Sequence, residues 1–197
     1  MSFWSRLFGG KQRSNESDGK LAWIGCDMHN HILPGIDDGS KTVEESLLLL
    51  QGLKDLGISK CISTPHVMQE VHNNTPSTIS AAHKQLKEGL DVAGMKFDIQ
   101  FSAEYMIDDQ LQTIISQDQV CLLPNQHMLI EMSYLAESKA LFKTIKDIQE
   151  KGYQPILAHP ERYNYYHQNF KIYKEIKDAG CLLRSISFPY PVITANM

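Results

Sequence analysis

With 197 residues, 42% of them hydrophobic and 21% charged, the chain is long enough to bury one substantial core, which excludes disorder throughout. A formal net charge of -4 offers no basic stripe for a phosphate backbone, so nucleic-acid binding is not expected. The four cysteines, Cys26, Cys61, Cys121 and Cys181, form no CxxC pair, which argues against a zinc knuckle or a disulfide framework and suits reduced thiols in the cytoplasm. No apolar stretch approaches the roughly 20 residues of a bilayer span, and the start MSFWSRLFGG has too short an apolar segment for a secretory signal.

Residues 1–20 turn polar after Gly9-Gly10 and are expected to form a flexible tail. The run from Leu21 to Asp27 predicts a first strand. Thr42-Val-Glu-Glu45 is a capping-box signature that opens a helix carrying Leu47, Leu50 and Leu53 and stops at Gly57. Ile58 to Ser63 predicts a buried strand, and Ile79, Ala82, Leu86 and Leu90 mark a helix from about Pro76 to Gly94. Phe97, Ile99 and Phe101 alternate as a third strand, followed by a short helix around residues 107–115.

Met128 to Met132 predicts a fourth strand, Leu141, Ile145 and Ile148 a helix, and Pro155 to Ala158 a fifth strand. Ile172, Ile176 and Ala179 mark a last helix, closed by Gly180, before Cys181 to Leu183 opens a further β-unit. This succession predicts an α/β fold with a parallel sheet and right-handed crossovers. The alternation falls short of the about 250 residues of a typical closed barrel. The segment 184–197, with two prolines and no helix period, does not continue it.

Five stretches end in a metal-type ligand where an apolar run stops: CDMHNH, STPH, SAE, LIE and LAHPER. Strand ends that repeatedly present His, Glu or Asp bring distant side chains to one rim. His29 and His31, two apart, share a side of an extended strand, and the Asp37-Asp38-Gly39 turn adds carboxylates. His66 follows Thr64-Pro65, which holds the backbone extended. Glu104 and Glu131 are attached directly to apolar runs, where an unpaired charge is costly to bury.

Singly, each of these acids reads as a surface carboxylate or a buried ion pair. Together with the histidines they favour shared bridging of cations, since a carboxylate has two oxygens. His159-Pro160-Glu161-Arg162 adds a ligand and a guanidinium fork suited to phosphate, with an Arg162–Glu161 pair as the competing reading. His72, His83, His127 and His167 fit no such position. A C-x5-R loop, HExxH, GxSxG and Gly-rich phosphate loops are all absent, which leaves metal-activated water as the expected nucleophile.

Taken in order, DMHNHILPGIDDGSKTVEES, STPH, AEY, LIEMS and AHPERY strongly resemble the polymerase and histidinol phosphatase (PHP) superfamily, in its bacterial capsule and exopolysaccharide branch of manganese-dependent protein-tyrosine phosphatases. The resemblance spans about Trp23 to Leu183, so residues 21–183 are expected to form the PHP phosphatase domain. It implies a distorted (β/α)7 barrel, here incomplete for want of its last strand or strands, and a di- or trinuclear site. The substrate implied is phosphotyrosine in the tail of a bacterial tyrosine kinase.

By matching motif, His29 and His31 would bind a first metal, with Glu104 bridging to a second that Glu131 and His159 complete. Asp38 and His66 would hold a third. Arg162 would clamp the phosphoryl oxygens, and Asp38 is counted with it as catalytic. Manganese is the cation implied, although histidine and carboxylate ligands also admit iron, cobalt or zinc.

The family's closing Asp-x-His motif does not occur after Arg184. A frameshift or premature stop is therefore expected, and with it impaired turnover. Two alternatives follow: a catalytically impaired module that binds metal or the kinase, and a phosphomonoesterase for a small molecule such as histidinol phosphate.

Overall fold

The computed structural model describes residues 21–186. The expected flexible tail and residues 187–197 of the last segment lie outside the described residues. The chain divides into two compact units, residues 21–66 with 74–102, and residues 67–73 with 103–186.

The first unit holds three parallel strands in the order β1-β2-β4, namely β1 (Asp27–Asn30), β2 (Lys60–Ser63) and β4 (Asp98–Phe101). Its helices are α1 (Val43–Asp55) and α2 (Pro76–Ala93). Thr42 caps α1 by accepting from the Glu45 backbone N–H, while the Glu45 carboxylate reaches back to the Lys41 N–H at 2.7 Å, one residue before the expected partner. At α2, Thr75 and Thr78 cap one another, Pro76 takes the first turn, and Gly94 closes the helix at φ 63°.

Leu47, Leu50, Ile79, Leu86 and Leu90 of the two helices are buried, as are Cys61, Ile62 and Ile99 of the sheet. Each such side chain, fully buried, contributes about 1.5–3 kcal/mol. Gly89 lets α1 and α2 approach, because a Cβ there would collide with the Val43 side chain.

The second unit alternates strand and helix: β5 (Glu104–Met106), α3 (Leu111–Ser116), β6 (His127–Glu131), α4 (Leu141–Glu150), β7 (Gln154–Ala158), α5 (Lys171–Asp178) and β8 (Leu182–Arg184). With the two-residue β3 (His66–Val67) these strands form a sheet in the order β3-β5-β6-β7-β8, parallel from β5 to β8. Met128, Leu129, Ile130 and Leu157 are buried at its centre, and Ile145, Ile148 and Ile176 of the helices are buried as well.

The α/β class with parallel strands is as expected, and three local expectations are corrected. Leu21–Cys26 is not strand: Ala22–Ile24 is a 3-10 turn and Gly25 sits at φ 73°, so extended pairing begins only at Asp27. Glu104 does not end the third strand but opens a separate one, because Ser102 and Ala103 interrupt the run. The helix expected from residue 107 starts at Leu111, after Asp108 has capped the Gln110 and Leu111 N–H groups. β3 is too short to leave a periodic signal.

Candidate metal-binding site

The first unit carries an imidazole-rich group. β1 pairs with β2 through a register shift between Asp27 and Asn30, the stretch that contains His29. Asp27 stabilises the irregularity by accepting from the His29 N–H at 3.4 Å and from Asn30 Nδ2 at 3.1 Å. His31 lies just past the strand end. Its ring centroid is 5.7 Å from that of His29 and 4.4 Å from that of His66.

The Asp37-Asp38-Gly39 loop folds back on His31, with the Ser40 N–H donating to the His31 carbonyl at 3.0 Å. Gly39 is required there, since a Cβ would strike that same carbonyl. Asp38 is 71% exposed, with Oδ1 3.6 Å from His66 Nε2. One ligand atom from each of His31, Asp38 and His66 lies within 4.8 Å of the other two. Two imidazoles and a carboxylate at that spacing suit a divalent first-row metal.

Sequence reasoning counted both carboxylates of the Asp37-Asp38-Gly39 turn but assigned a ligand role to Asp38 alone. Asp37 is buried, and it accepts from His31 Nδ1 at 2.8 Å, from the Gly39 N–H at 3.0 Å and from the His66 N–H at 3.2 Å. Burial would raise its pKa, but the hydrogen bond and charge of His31, helped by the two backbone donors, hold it below the usual carboxylate value.

The second unit carries a carboxylate-rich group sealed from water. Glu104 starts β5 and Glu131 ends β6, while His159 follows the last residue of β7. All three are buried. His159 Nε2 lies 2.9 Å from Glu104 Oε1 and 3.5 Å from Glu131 Oε2. Burial would lower the His159 pKa, but hydrogen bonds and charge from the two glutamates raise it to about 9. Two carboxylates withdrawn from water around one imidazole demand positive charge. Without metal a proton on His159 supplies it, and a divalent cation fits the same donor set.

His159 reaches this position through a left-handed backbone, φ 31° and ψ 58°, directly before Pro160. That conformation is disfavoured for a non-glycine residue before proline and costs on the order of 1–3 kcal/mol. Tyr163 holds the strand ends around it. Its hydroxyl donates to the Ala158 carbonyl at 3.0 Å and accepts from the Met132 N–H at 3.1 Å, tying the end of β7 to the residue after β6.

The sequence profile of capsular polysaccharide synthesis, CpsB/CapC, matches residues 25–187. The chain belongs to the CpsB/CapC family. Tyrosine-protein phosphatase YwqE of Bacillus subtilis is 28% identical over 155 residues, covering 78% of this chain and 61% of YwqE. Tyrosine-protein phosphatase CpsB of Streptococcus pneumoniae is 28% identical over 163 residues, covering 82% of this chain and 67% of CpsB. A crystal structure from work on YwqE and CpsB, described as unique metal-dependent tyrosine phosphatases, superposes with a TM-score of 0.75 at 27% identity, covering 81% of this chain and 65% of that one. The chain thus spans roughly three fifths to two thirds of the length of these relatives.

Within this CpsB/CapC chain the remaining expected residues fall as follows. Arg162 is exposed on the 3-10 turn after His159 and has no ion-pair partner among the described residues, so the competing pair with Glu161 does not form. The Glu161 carboxylate instead accepts from the Ile186 N–H at 2.6 Å. Of the histidines set aside, His83 contacts the Ile99 carbonyl, His127 that of Pro124, and His167 that of Glu161. The signal for Asp37 was present in the DDG turn, but nothing local distinguishes its two aspartates.

Proposed function

We propose that this chain is a metal-dependent protein-tyrosine phosphatase that hydrolyses phosphotyrosine on a bacterial tyrosine kinase serving capsule or exopolysaccharide synthesis, in the cytoplasm. The convergence of buried Glu104 and Glu131 on His159 carries this reading, because such a donor set suits a divalent cation and lies in a CpsB/CapC chain. Similarity to proteins named tyrosine-protein phosphatases supports the substrate class. No helix among the described residues is long and apolar enough to cross a membrane.

The proposed ligands are His29, His31, Asp38 and His66 on the first unit and Glu104, Glu131 and His159 on the second, with manganese as the resident cation. When bound, such cations supply the Lewis-acid charge that makes water nucleophilic at neutral pH and offsets the phosphoryl charge. Arg162, without an ion-pair partner and next in the loop to the His159 turn, takes phosphoryl oxygens through paired charge-assisted bonds. Asp38, at the solvent edge of its group, contributes both a ligand oxygen and a carboxylate that faces incoming water. A thiol mechanism is disfavoured, since Cys61, Cys121 and Cys181 are buried and burial raises all three thiols.

The test is hydrolysis of a phosphotyrosine peptide by the purified chain with added manganese and after chelation. Turnover that disappears on chelation and in Arg162→Ala supports the reading. Turnover of histidinol phosphate in preference to the peptide, or cation binding without turnover of either, would replace it with one of the alternatives.

A further inference from the structure

Asp37 was not among the residues expected to act, yet the first unit's group is organised around it. Its side chain is fully enclosed, and all of its described partners are donors. Oδ1 accepts the Gly39 N–H, while Oδ2 accepts both His31 Nδ1 and the backbone N–H of His66. Two of these donors are backbone amides and cannot exchange roles. An ionised carboxylate can only accept, so the third contact requires the proton on His31 Nδ1. The lone pair of the neutral ring is then on Nε2.

The same carboxylate reaches the second imidazole through its main chain. His66 is held on one side by Asp37 Oδ2 at its N–H and on the other by Asn74, whose Nδ2 donates to the His66 carbonyl and to that of Ile36, each at 2.8 Å. Lys41 Nζ fixes the Asp37 backbone carbonyl at 2.8 Å. One buried side chain thus sets the tautomer of His31 and the placement of His66, whose rings lie 4.4 Å apart with Asp38 beside them.

We infer that Asp37 is a positioning residue that locks His31 in its Nδ1–H form and registers His66 against it, so that His31 Nε2 faces a divalent cation shared with His66 and Asp38. The part that concerns the cation rests on the proposed function; the tautomer lock does not. Outer carboxylates of this kind typically change metal affinity by about 10- to 100-fold when removed.

The test uses the full chain with 15N-labelled imidazoles, chelated, at a pH where the His31 ring is neutral, with His31→Gln to assign its signals. The expected spectrum has a protonated Nδ1 and a bare Nε2 at His31. The reverse pattern would overturn the lock in the unmodified protein, whatever any variant does. Asp37→Asn, which keeps the shape but turns an acceptor into a donor, is then compared by manganese equilibrium dialysis and thermal unfolding. A fall in affinity of about 10-fold or more with a shifted tautomer supports the inference. A folded Asp37→Asn protein with unchanged affinity and tautomer would overturn it. A chain that took up no manganese yet kept the Nδ1–H form would count against the proposed function while upholding the lock.

Discussion

The two units bear groups of similar chemistry in opposite environments. On the first, imidazoles dominate at the surface: the His31 side chain is 22% exposed and Asp38 is 71% exposed. On the second, two carboxylates and a histidine are closed off from water. An exposed group can be hydrated when empty, so its occupancy depends on how well its ligands are oriented, here by Asp37. A buried group of net negative charge cannot be left uncompensated, so it always holds a proton or a cation. The first group is therefore organised by an outer hydrogen-bond network, and the second by its own electrostatic demand.

The sharpest way to break this contrast is to remove one imidazole from each group in chelated protein. His159→Ala removes the imidazole that faces both Glu104 and Glu131, and breaking a buried pair in this way costs about 3–5 kcal/mol. His31→Ala in the first group should cost less, about 1–3 kcal/mol, because the buried Asp37 carboxylate keeps its two backbone donors. Urea unfolding with chelator present measures both. Equal losses would erase the distinction between the two groups.

Next in size is Tyr163→Phe, which deletes the hydroxyl between Ala158 and Met132. It leaves a buried N–H at Met132 without its acceptor, a loss of about 1–3 kcal/mol. Because the hydroxyl aligns the strand ends bearing Glu131 and His159, manganese affinity should fall along with the unfolding midpoint. A loss of stability with affinity intact would reduce Tyr163 to a packing residue.

How much of this was legible in the sequence depended on the range of the interaction. The Thr42 cap, the α2 stripe from Ile79 to Leu90 and the Gly94 stop are local features, and the structure keeps them close to where periodicity put them. The separation of Glu104 into its own strand was not legible, because the alternation of Phe97, Ile99 and Phe101 runs on through Ser102 and Ala103 to Glu104 without a turn signal, and only the pairing partners divide the stretch. Nor was the left-handed turn at His159, since sequence around a proline favours extended backbone there. Asp37 and Asp38 are chemically identical neighbours. Which is enclosed and which is exposed is fixed by the return of the loop onto His31, a contact between residues that sequence reading treats independently.

A smaller effect, confined to the second unit, is the pH response of chelated protein. The His159 pKa is raised from its ordinary 6.5 to about 9, so the folded state binds this proton more tightly than the unfolded chain does. Its stabilisation is fully present below pH 6.5 and is lost as pH rises through about 9. Denaturant midpoints across that window should fall in the wild-type chain, and His159→Gln should remove this component. A wild-type profile that rose with pH would contradict the sign.

The smallest expected effect is none at all, and it bears on both units alike. Cys61 in the first unit and Cys181 in the second are buried, and burial pushes each thiol up to about 12. At pH 8 such a thiol is ionised to only about one part in ten thousand, and the thiolate is the reactive form. Iodoacetamide under native conditions should therefore label Cys26 first, the one thiol that is not fully buried. The proposed phosphatase activity should survive that labelling, as it would if the nucleophile is not sulfur. Mass spectrometry of the labelled chain read against activity decides the matter: inactivation that tracked modification of Cys61 or Cys181 would place a thiol in the chemistry and remove the main reason for assigning catalysis to the imidazole and carboxylate groups.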